Sequence, residues 1–153
     1  MTAKEWTQSQ VAVWEFAYKK RDTRDKKIHP AVFPIDLPAK CIKMFSHEGE
    51  LVLDPFVGIG STLVAAKDLH RNAVGFDLKL EYLNYAKTRL QQKTLDENPT
   101  QQIMVNDEAH NISKYLQEES IALTITSPPY SNILNRPRKN KSWRGNLRKN
   151  EQY

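Results

Sequence analysis

Two stretches of this 153-residue chain carry residues whose types and spacing could do chemistry. The first is Leu51-Val-Leu-Asp-Pro-Phe-Val-Gly-Ile-Gly-Ser61, continued by Thr62 to Leu69. Leu51 to Leu53 is an apolar run of buried-strand type, and it stops at Asp54-Pro55 because proline has no N–H to give to a ladder. Gly58 and Gly60 permit backbone angles and close approaches denied to residues with a Cβ, and Ser61 is predicted as the N-cap of an apolar-faced helix. Free backbone N–H groups would then lie beside a strand's carboxyl end, where open α/β sheets hold nucleotides. A second apolar run, Ala73-Val-Gly-Phe-Asp77, ends in a carboxylate 23 residues after Asp54, placed to accept hydrogen bonds from ribose hydroxyls. Together they predict a nucleotide-cofactor site, against the alternative of an ordinary turn and an ordinary surface acid. The dinucleotide fingerprint is incomplete, since Leu63 stands where its third Gly or Ala would be.

The second stretch is Thr126-Ser-Pro-Pro-Tyr130. Pro129 fixes its own φ and forces Pro128 into an extended conformation, and Pro128 does the same to Ser127. The product is a stiff corner with no backbone donor at two successive positions. It leaves the Ser127 hydroxyl and the Pro128 carbonyl as acceptors.

Both stretches need elements to position them. Met1 to Gln10 is polar and carries no signal. Val11 to Tyr18 is apolar and aromatic; Trp14, Phe16 and Tyr18 alternate as in a strand, and an amphipathic helix is the other reading. Arg21 to Lys27 reads as a mixed-charge loop. His29-Pro-Ala-Val-Phe-Pro34 is an extended turn held by two prolines, a lid or a connector, before a helix from Asp36 to about Phe45. On that helix Cys41 is expected to share an apolar face with Leu37, Ile42 and Phe45. A helix over 62–70, a strand over 72–76, a helix over 81–91, a loop over 96–100, a strand over 103–105, a short helix over 112–118 and a strand over 121–125 follow. Alternating strands and helices indicate an α/β fold with a mostly parallel sheet, helices on both faces and polar residues at the strand ends.

Asp54-Pro-Phe-Val-Gly-Ile-Gly-Ser61 together with Ser127-Pro-Pro-Tyr130 resembles the paired signature of the S-adenosylmethionine-dependent amino-methyltransferases of DNA, and His29-Pro-Ala-Val-Phe-Pro34 resembles the segment that precedes the cofactor loop in that family. The resemblance covers about residues 10 to 130 and implies a Rossmann-like methyltransferase fold. It implies that Asp54, Pro55, Phe56, Gly58, Gly60 and Ser61 surround the methionine end of S-adenosylmethionine and that Asp77 holds the ribose. Asp107 would sit beside the adenine, with Asn106 or Glu108 as substitutes, and Phe33 and Pro34 would close over the cofactor. Ser127, Pro128, Pro129 and Tyr130 would be catalytic. Ser at the first position of the Pro-Pro-Tyr motif is typical of enzymes acting on cytosine N4, and Asp or Asn there of those acting on adenine N6.

The corner suits that chemistry. An exocyclic amine has two N–H donors and a lone pair delocalised into its ring; fixed acceptors for those hydrogens let the nitrogen become tetrahedral and free the lone pair for in-line attack on a sulfonium methyl. Catalysis is then positioning and electrostatics. Tyr130 would stack on a base extruded from the duplex, or else be a core aromatic. Cys41 lies outside the corner, which argues against a thiolate nucleophile. No Cys/His cluster has metal-ligand spacing, so no metal is expected.

The net charge of +5 is uneven, since 131–153 holds seven Lys/Arg against one acid. That tail is either a solvated, disordered end or a phosphate-binding segment for double-stranded DNA, with Arg136, Arg138, Lys139, Lys141 and Arg144 on phosphates and Trp143 or Tyr153 available for stacking. No run reaches the roughly 18 apolar residues of a membrane span, and the first ten residues lack a signal-peptide plan, so a cytoplasmic place is expected, and the resemblance implies that it is on the DNA of a prokaryotic cell. Three segments follow: an extension over 1–28, the cofactor and catalytic-motif half over 29–130, and the basic tail over 131–153. The later strands of such a sheet and a target-recognition region are missing. The chain therefore reads as a fragment, or as one half of a split enzyme completed by a second polypeptide at the exposed edge of its last strand. Four rival functions remain: an N6-adenine enzyme, an RNA or protein amide methyltransferase, a cofactor- and DNA-binding subunit inactive without its partner, and a nicotinamide oxidoreductase. Against the last stand the absent third glycine and the Pro-Pro corner.

Overall fold

A computed structural model describes residues 1–11, 13–18, 32–91 and 99–128. Pro129, Tyr130, the basic tail with Arg136 to Arg144, residues 29–31 and the loop at 21–27 lie outside the described residues.

The chain opens with a short helix, α1 (Ala3–Ser9), where the sequence suggested nothing regular. Its cause is local: the Thr2 side chain accepts the Glu5 N–H while the Glu5 carboxylate accepts the Thr2 N–H at 2.7 Å, a capping box. The expected strand at 11–18 is absent among the described residues there. Trp14 is instead used as an anchor. Its indole N–H donates to the Ser9 carbonyl at 3.0 Å and Lys40 Nζ lies 4.2 Å above its ring. Helix α2 (Asp36–Phe45) follows the proline turn. Its buried stripe runs through Pro38 and Ile42, close to buried Ile35, and Cys41 is half-buried. Contrary to expectation, Phe45, in the final turn, is left 54% exposed.

From Leu51 the alternation of strand and helix holds. Strand β1 (Leu51–Asp54) leads to α3 (Ser61–Asp68), then β2 (Asn72–Phe76), α4 (Leu80–Leu90) and β3 (Gln102–Val105). A 3-10 helix (Ala109–Lys114) and the two-residue β4 (Leu123–Thr124) complete the order. The four strands are parallel and ordered β3-β2-β1-β4, with Leu53 opposite both Val74 and Thr124. Backbone hydrogen bonds from Ala122 to Leu51 (3.0 Å) and Ile125 to Leu53 (2.9 Å) carry the pairing over most of the expected last strand.

Pleating divides the core. Val52, Ala73 and Met104 face α2, α3 and α4 together with Ile42, Leu63, Ala66 and Leu83. Leu53, Val74 and Phe76 face the other way and are covered by Ile112 and Leu116 of the 3-10 region. The helix expected at 112–118 is thus earlier and tighter. Asp107 accounts for this, accepting from Asn111 Nδ2 at 2.9 Å and Tyr115 O–H at 2.7 Å and drawing the segment into a close turn. Among the described residues no helix is long and apolar enough to cross a membrane, and no three His, Cys, Asp or Glu side chains cluster as a metal site would require.

Candidate functional site

The parallel arrangement brings four polar strand ends to one edge: Asp54 ends β1, Asp77 follows β2, Asn106 and Asp107 follow β3, and Ser127 lies three residues past β4. Between Asp54 and α3 the glycine loop is tied down at nearly every residue. The Val57 N–H donates to Phe76 O at 2.8 Å, the Gly58 N–H to Asp77 Oδ2 at 3.0 Å and the Gly60 N–H to Val57 O at 2.9 Å.

Gly60, and not Ser61, is the N-cap of α3. It adopts φ +80°, and a Cβ on it would stand 2.8 Å from the Ala86 Cβ of α4. Ser61 is the first helical residue, buried, with its hydroxyl turned toward Arg89 Nη1 at 3.3 Å. The same guanidinium nitrogen donates to the Ile59 carbonyl at 2.7 Å, so a buried arginine on α4 clamps the loop from beneath. The missing third glycine also has an explanation. Leu63 is fully buried in the core, and the close approach that a helix glycine would allow is supplied by Gly75 in β2, where a Cβ would meet Val57 Cγ2 at 2.5 Å and Leu63 Cδ1 at 2.9 Å.

The three acids differ. Asp54 is 1% exposed; Oδ2 accepts from the Thr62 hydroxyl at 2.5 Å and Oδ1 from the Phe56 N–H at 3.1 Å. Burial pushes its carboxyl up to about 6, and the hydrogen bonds from Thr62 and the Phe56 amide hold it from rising further. Its carboxyl therefore addresses the chain's own loop. Asp77 is half-buried and stitches the tip of β2, taking the Gly58 N–H on one oxygen and the Lys79 N–H on the other at 2.8 Å. Asn106 steadies that tip, donating to the carbonyls of Asp77 at 2.9 Å and Leu78 at 3.0 Å. Asp107 accepts from Tyr115, Asn111 and the Glu108 amide, and these bonds bring its carboxyl down to about 2.

Phe33 and Pro34 stand at the entrance to α2, Pro34 buried and accepting the Leu37 N–H at 3.1 Å. Pro55 is half-buried, while Phe56 (40%) and Leu78 (68%), the latter next to Asp77 in the chain, leave apolar surface exposed. Ser127 is half-buried and Pro128 exposed; Pro129 and Tyr130 lie outside the described residues. Thr62, Gly75, Leu78 and Arg89 were not singled out from sequence. A glycine inside a strand was a readable sign of close backbone approach, whereas nothing local marks Arg89 as buried.

Comparison with known proteins agrees with this architecture. A family model described as DNA methylase matches residues 2–88, which include the glycine loop and Asp77. The type II methyltransferase M.HpaI of Haemophilus parainfluenzae is 41% identical over 78 residues, 51% of this chain and 25% of that enzyme. M2.DpnII of Streptococcus pneumoniae is 39% identical over 79 residues, 52% of this chain and 30% of that one. Among solved structures, one from Thermus thermophilus, described provisionally as a DNA modification methylase, superposes with a TM-score of 0.51 at 27% identity, covering 67% of this chain and 40% of that one. A methyltransferase-like protein of Streptococcus mutans, solved with S-adenosylhomocysteine, shares the fold at 21% identity and a TM-score of 0.50, covering 70% of this chain and 60% of that one. The chain spans less than a third of the length of the two type II relatives, and its four-stranded sheet is an incomplete Rossmann-like methyltransferase sheet. With the family pattern running through more than half of its residues, across the loop and the acid that the fold sets side by side, the chain belongs to the DNA methylase family.

Proposed function

We propose that this chain forms the cofactor-binding and catalytic-motif half of a DNA methyltransferase of restriction-modification type, which transfers a methyl group from S-adenosylmethionine to N4 of cytosine in a specific duplex sequence. The observation that carries the reading is the shared carboxyl edge: the glycine loop, Asp77 and Ser127 all end there in a chain of the DNA methylase family. The residues fit the cofactor. Each Asp77 oxygen already accepts one backbone N–H and keeps a lone pair for a ribose hydroxyl, and exposed Phe56 and Leu78 offer apolar surface to an adenine or a thioether chain. Phe33, Pro34, Asp107 and the glycines at 58 and 60 complete the set assigned to it.

When bound, S-adenosylmethionine supplies a methyl group on a positively charged sulfur. The rest falls to the chain's own residues. The Ser127 hydroxyl and the Pro128 carbonyl accept the two N–H groups of the target amine, Tyr130 stacks on the extruded base, and Arg136, Arg138, Lys139, Lys141, Trp143 and Arg144 hold the adjoining strand. Ser127 favours cytosine N4; adenine N6 is the second reading. The remaining strands of the sheet, whether further along the same polypeptide or on a partner chain, would pair at β4, and without them the half-domain would bind cofactor and not turn over.

Calorimetric titration of the 153-residue chain with S-adenosylmethionine, with NAD as control, tests the assignment. Binding of the former alone is expected, weakened at least about tenfold by Asp77→Ala, which removes charge-assisted acceptors. Binding of NAD alone would overturn it. Once the catalytic domain is completed, nucleoside analysis of methylated DNA separates N4-methylcytosine from N6-methyladenine, and Ser127→Ala should lower methyl transfer while leaving cofactor affinity intact.

A further inference from the structure

Among the described residues two arginines are buried, and they serve opposite ends of the sheet. Arg71, just before β2, donates to the Ser46 and Leu69 carbonyls, away from the strand tips. Arg89, in the last turn of α4, reaches the glycine loop instead. Its Nη1 donates to the Ile59 carbonyl at 2.7 Å, and the other end of that same peptide unit, the Gly60 N–H, donates to the Val57 carbonyl at 2.9 Å. Both ends of the Ile59–Gly60 peptide are therefore held. The hold answers a weakness of the turn. Residue 60 has to be glycine, because its φ is +80° and a Cβ there would stand 2.8 Å from that of Ala86. Glycine takes either sign of φ with similar ease, so its own preference does not stop the peptide from turning over. A neutral donor would satisfy a buried carbonyl at a lower desolvation cost than a guanidinium. What the guanidinium adds is a planar fork of fixed donors and a stronger, charge-assisted bond.

We propose that Arg89 is a positioning residue that keeps the Ile59–Gly60 peptide from turning over and so holds the glycine loop in its cofactor-ready shape before the ligand arrives. The proposal rests on the reading of that loop as the cofactor site. The held peptide acts in both directions. Downstream, the Gly60 carbonyl accepts the Val64 N–H at 3.0 Å and the Ser61 hydroxyl lies 3.3 Å from Arg89 Nη1, so one guanidinium also sets the first turn of α3. Upstream, Val57 takes the Gly60 N–H while its own N–H donates to Phe76, and Gly58 between them donates to Asp77 Oδ2 at 3.0 Å. The loop and the acid assigned to the ribose thus share one frame. A loop that kept this frame for only about a tenth of the time would bind its ligand about tenfold more weakly, because only the competent form takes the ligand.

Calorimetry and amide hydrogen exchange on the 153-residue chain test this, with Arg71 as the control for losing a buried guanidinium. Arg89→Met should raise exchange at the Gly60 amide about tenfold and weaken S-adenosylmethionine binding about tenfold. Arg71→Met should lower the urea midpoint by a similar amount and leave both measurements within about twofold of wild type. Equal losses of affinity in the two variants, or a folded Arg89→Met that keeps wild-type exchange and affinity, would overturn the proposal. Should Arg89→Met fail to fold, Arg89→Lys decides. It keeps the charge and loses the fork, so changes of about threefold in both measurements are expected, and no change in either would overturn the proposal. A wild type that ignores S-adenosylmethionine, while Gly60 exchange answers to Arg89→Met and not to Arg71→Met, would sink the cofactor reading and leave the hold on the loop standing. Faster Gly60 exchange in an Arg89→Met chain that binds as tightly as wild type would sink the positioning role and leave the cofactor reading standing.

Discussion

Asp54 ends one parallel strand and Asp107 follows another, and their carboxyls lie on opposite sides of the ordinary value of 3.8, one raised to about 6 and the other lowered to about 2. The difference is not one of hydrogen-bond supply alone, because Asp54 accepts from two donors and Asp107 from three. It is one of depth. Around Asp54 the loop, α3 and α4 pack so closely that Gly60 and Gly75 leave no room for a Cβ, and burial outweighs the donors. Around Asp107 water screens the charge, no comparable desolvation opposes it, and the donors decide. One end of the sheet edge is built by packing, the other by surface hydrogen bonds.

The harshest way to break that contrast is to give Gly60 a side chain. Gly60→Val combines a left-handed φ with a clash at Ala86 and should destabilise the fold by about 4 kcal/mol in chemical denaturation, whereas a substitution beside Asp107 such as Glu108→Val should barely register.

The pH dependence of stability sharpens the contrast, because the two acids act with opposite sign. Asp54 binds its proton more tightly folded than unfolded, so its contribution is fully present below about pH 4 and is lost as pH rises through about 6. Asp107 binds its proton less tightly folded, so its contribution is present above about pH 4 and is lost as pH falls toward 2. Urea melts across pH should therefore show wild type losing up to about 3 kcal/mol relative to Asp54→Asn between pH 4 and pH 7. Relative to Asp107→Asn, wild type should lose stability only on acidification. Equal slopes for the two variants would mean that depth does not separate the carboxyls.

The mildest intervention is Tyr115→Phe, which removes the first of the bonds holding Asp107 down and keeps the ring against Phe76, 5.6 Å between centroids. Carboxyl titration by NMR should show Asp107 moving up toward 3.8 with Asp54 unmoved. A shift at Asp54 would show that the two ends are not independent.

Local pattern was enough wherever a rule needed only neighbours in sequence. The apolar runs before Asp54 and Asp77, the helices between them and the parallel order follow from periodicity, proline and glycine, and the resemblance carried by Asp54 to Ser61 and Ser127 to Tyr130 pointed to the family that the match over residues 2–88 shows. Helix α1 obeys a local rule too, the capping-box spacing of Thr2 and Glu5, but the polar stretch around it has no apolar period and suggested nothing regular. The alternation of Trp14, Phe16 and Tyr18 misled because side-chain period alone cannot supply a neighbouring strand, and Trp14 found a carbonyl and a lysine instead.

What the sequence by itself determined is therefore which residues meet at the carboxyl edge, because a βαβ chain of right-handed crossovers brings its strand ends together whatever the details of packing. What only the tertiary structure decided is how deep each one sits and whom it serves. Gly60 displaced Ser61 from the cap because α4 passes too close for a Cβ, Arg89 turned inward because the Ile59 carbonyl needed a donor, and Asp54 became a buried tie while Asp107 remained at the surface. Burial is set by elements far apart in the chain, and no window of neighbouring residues contains it.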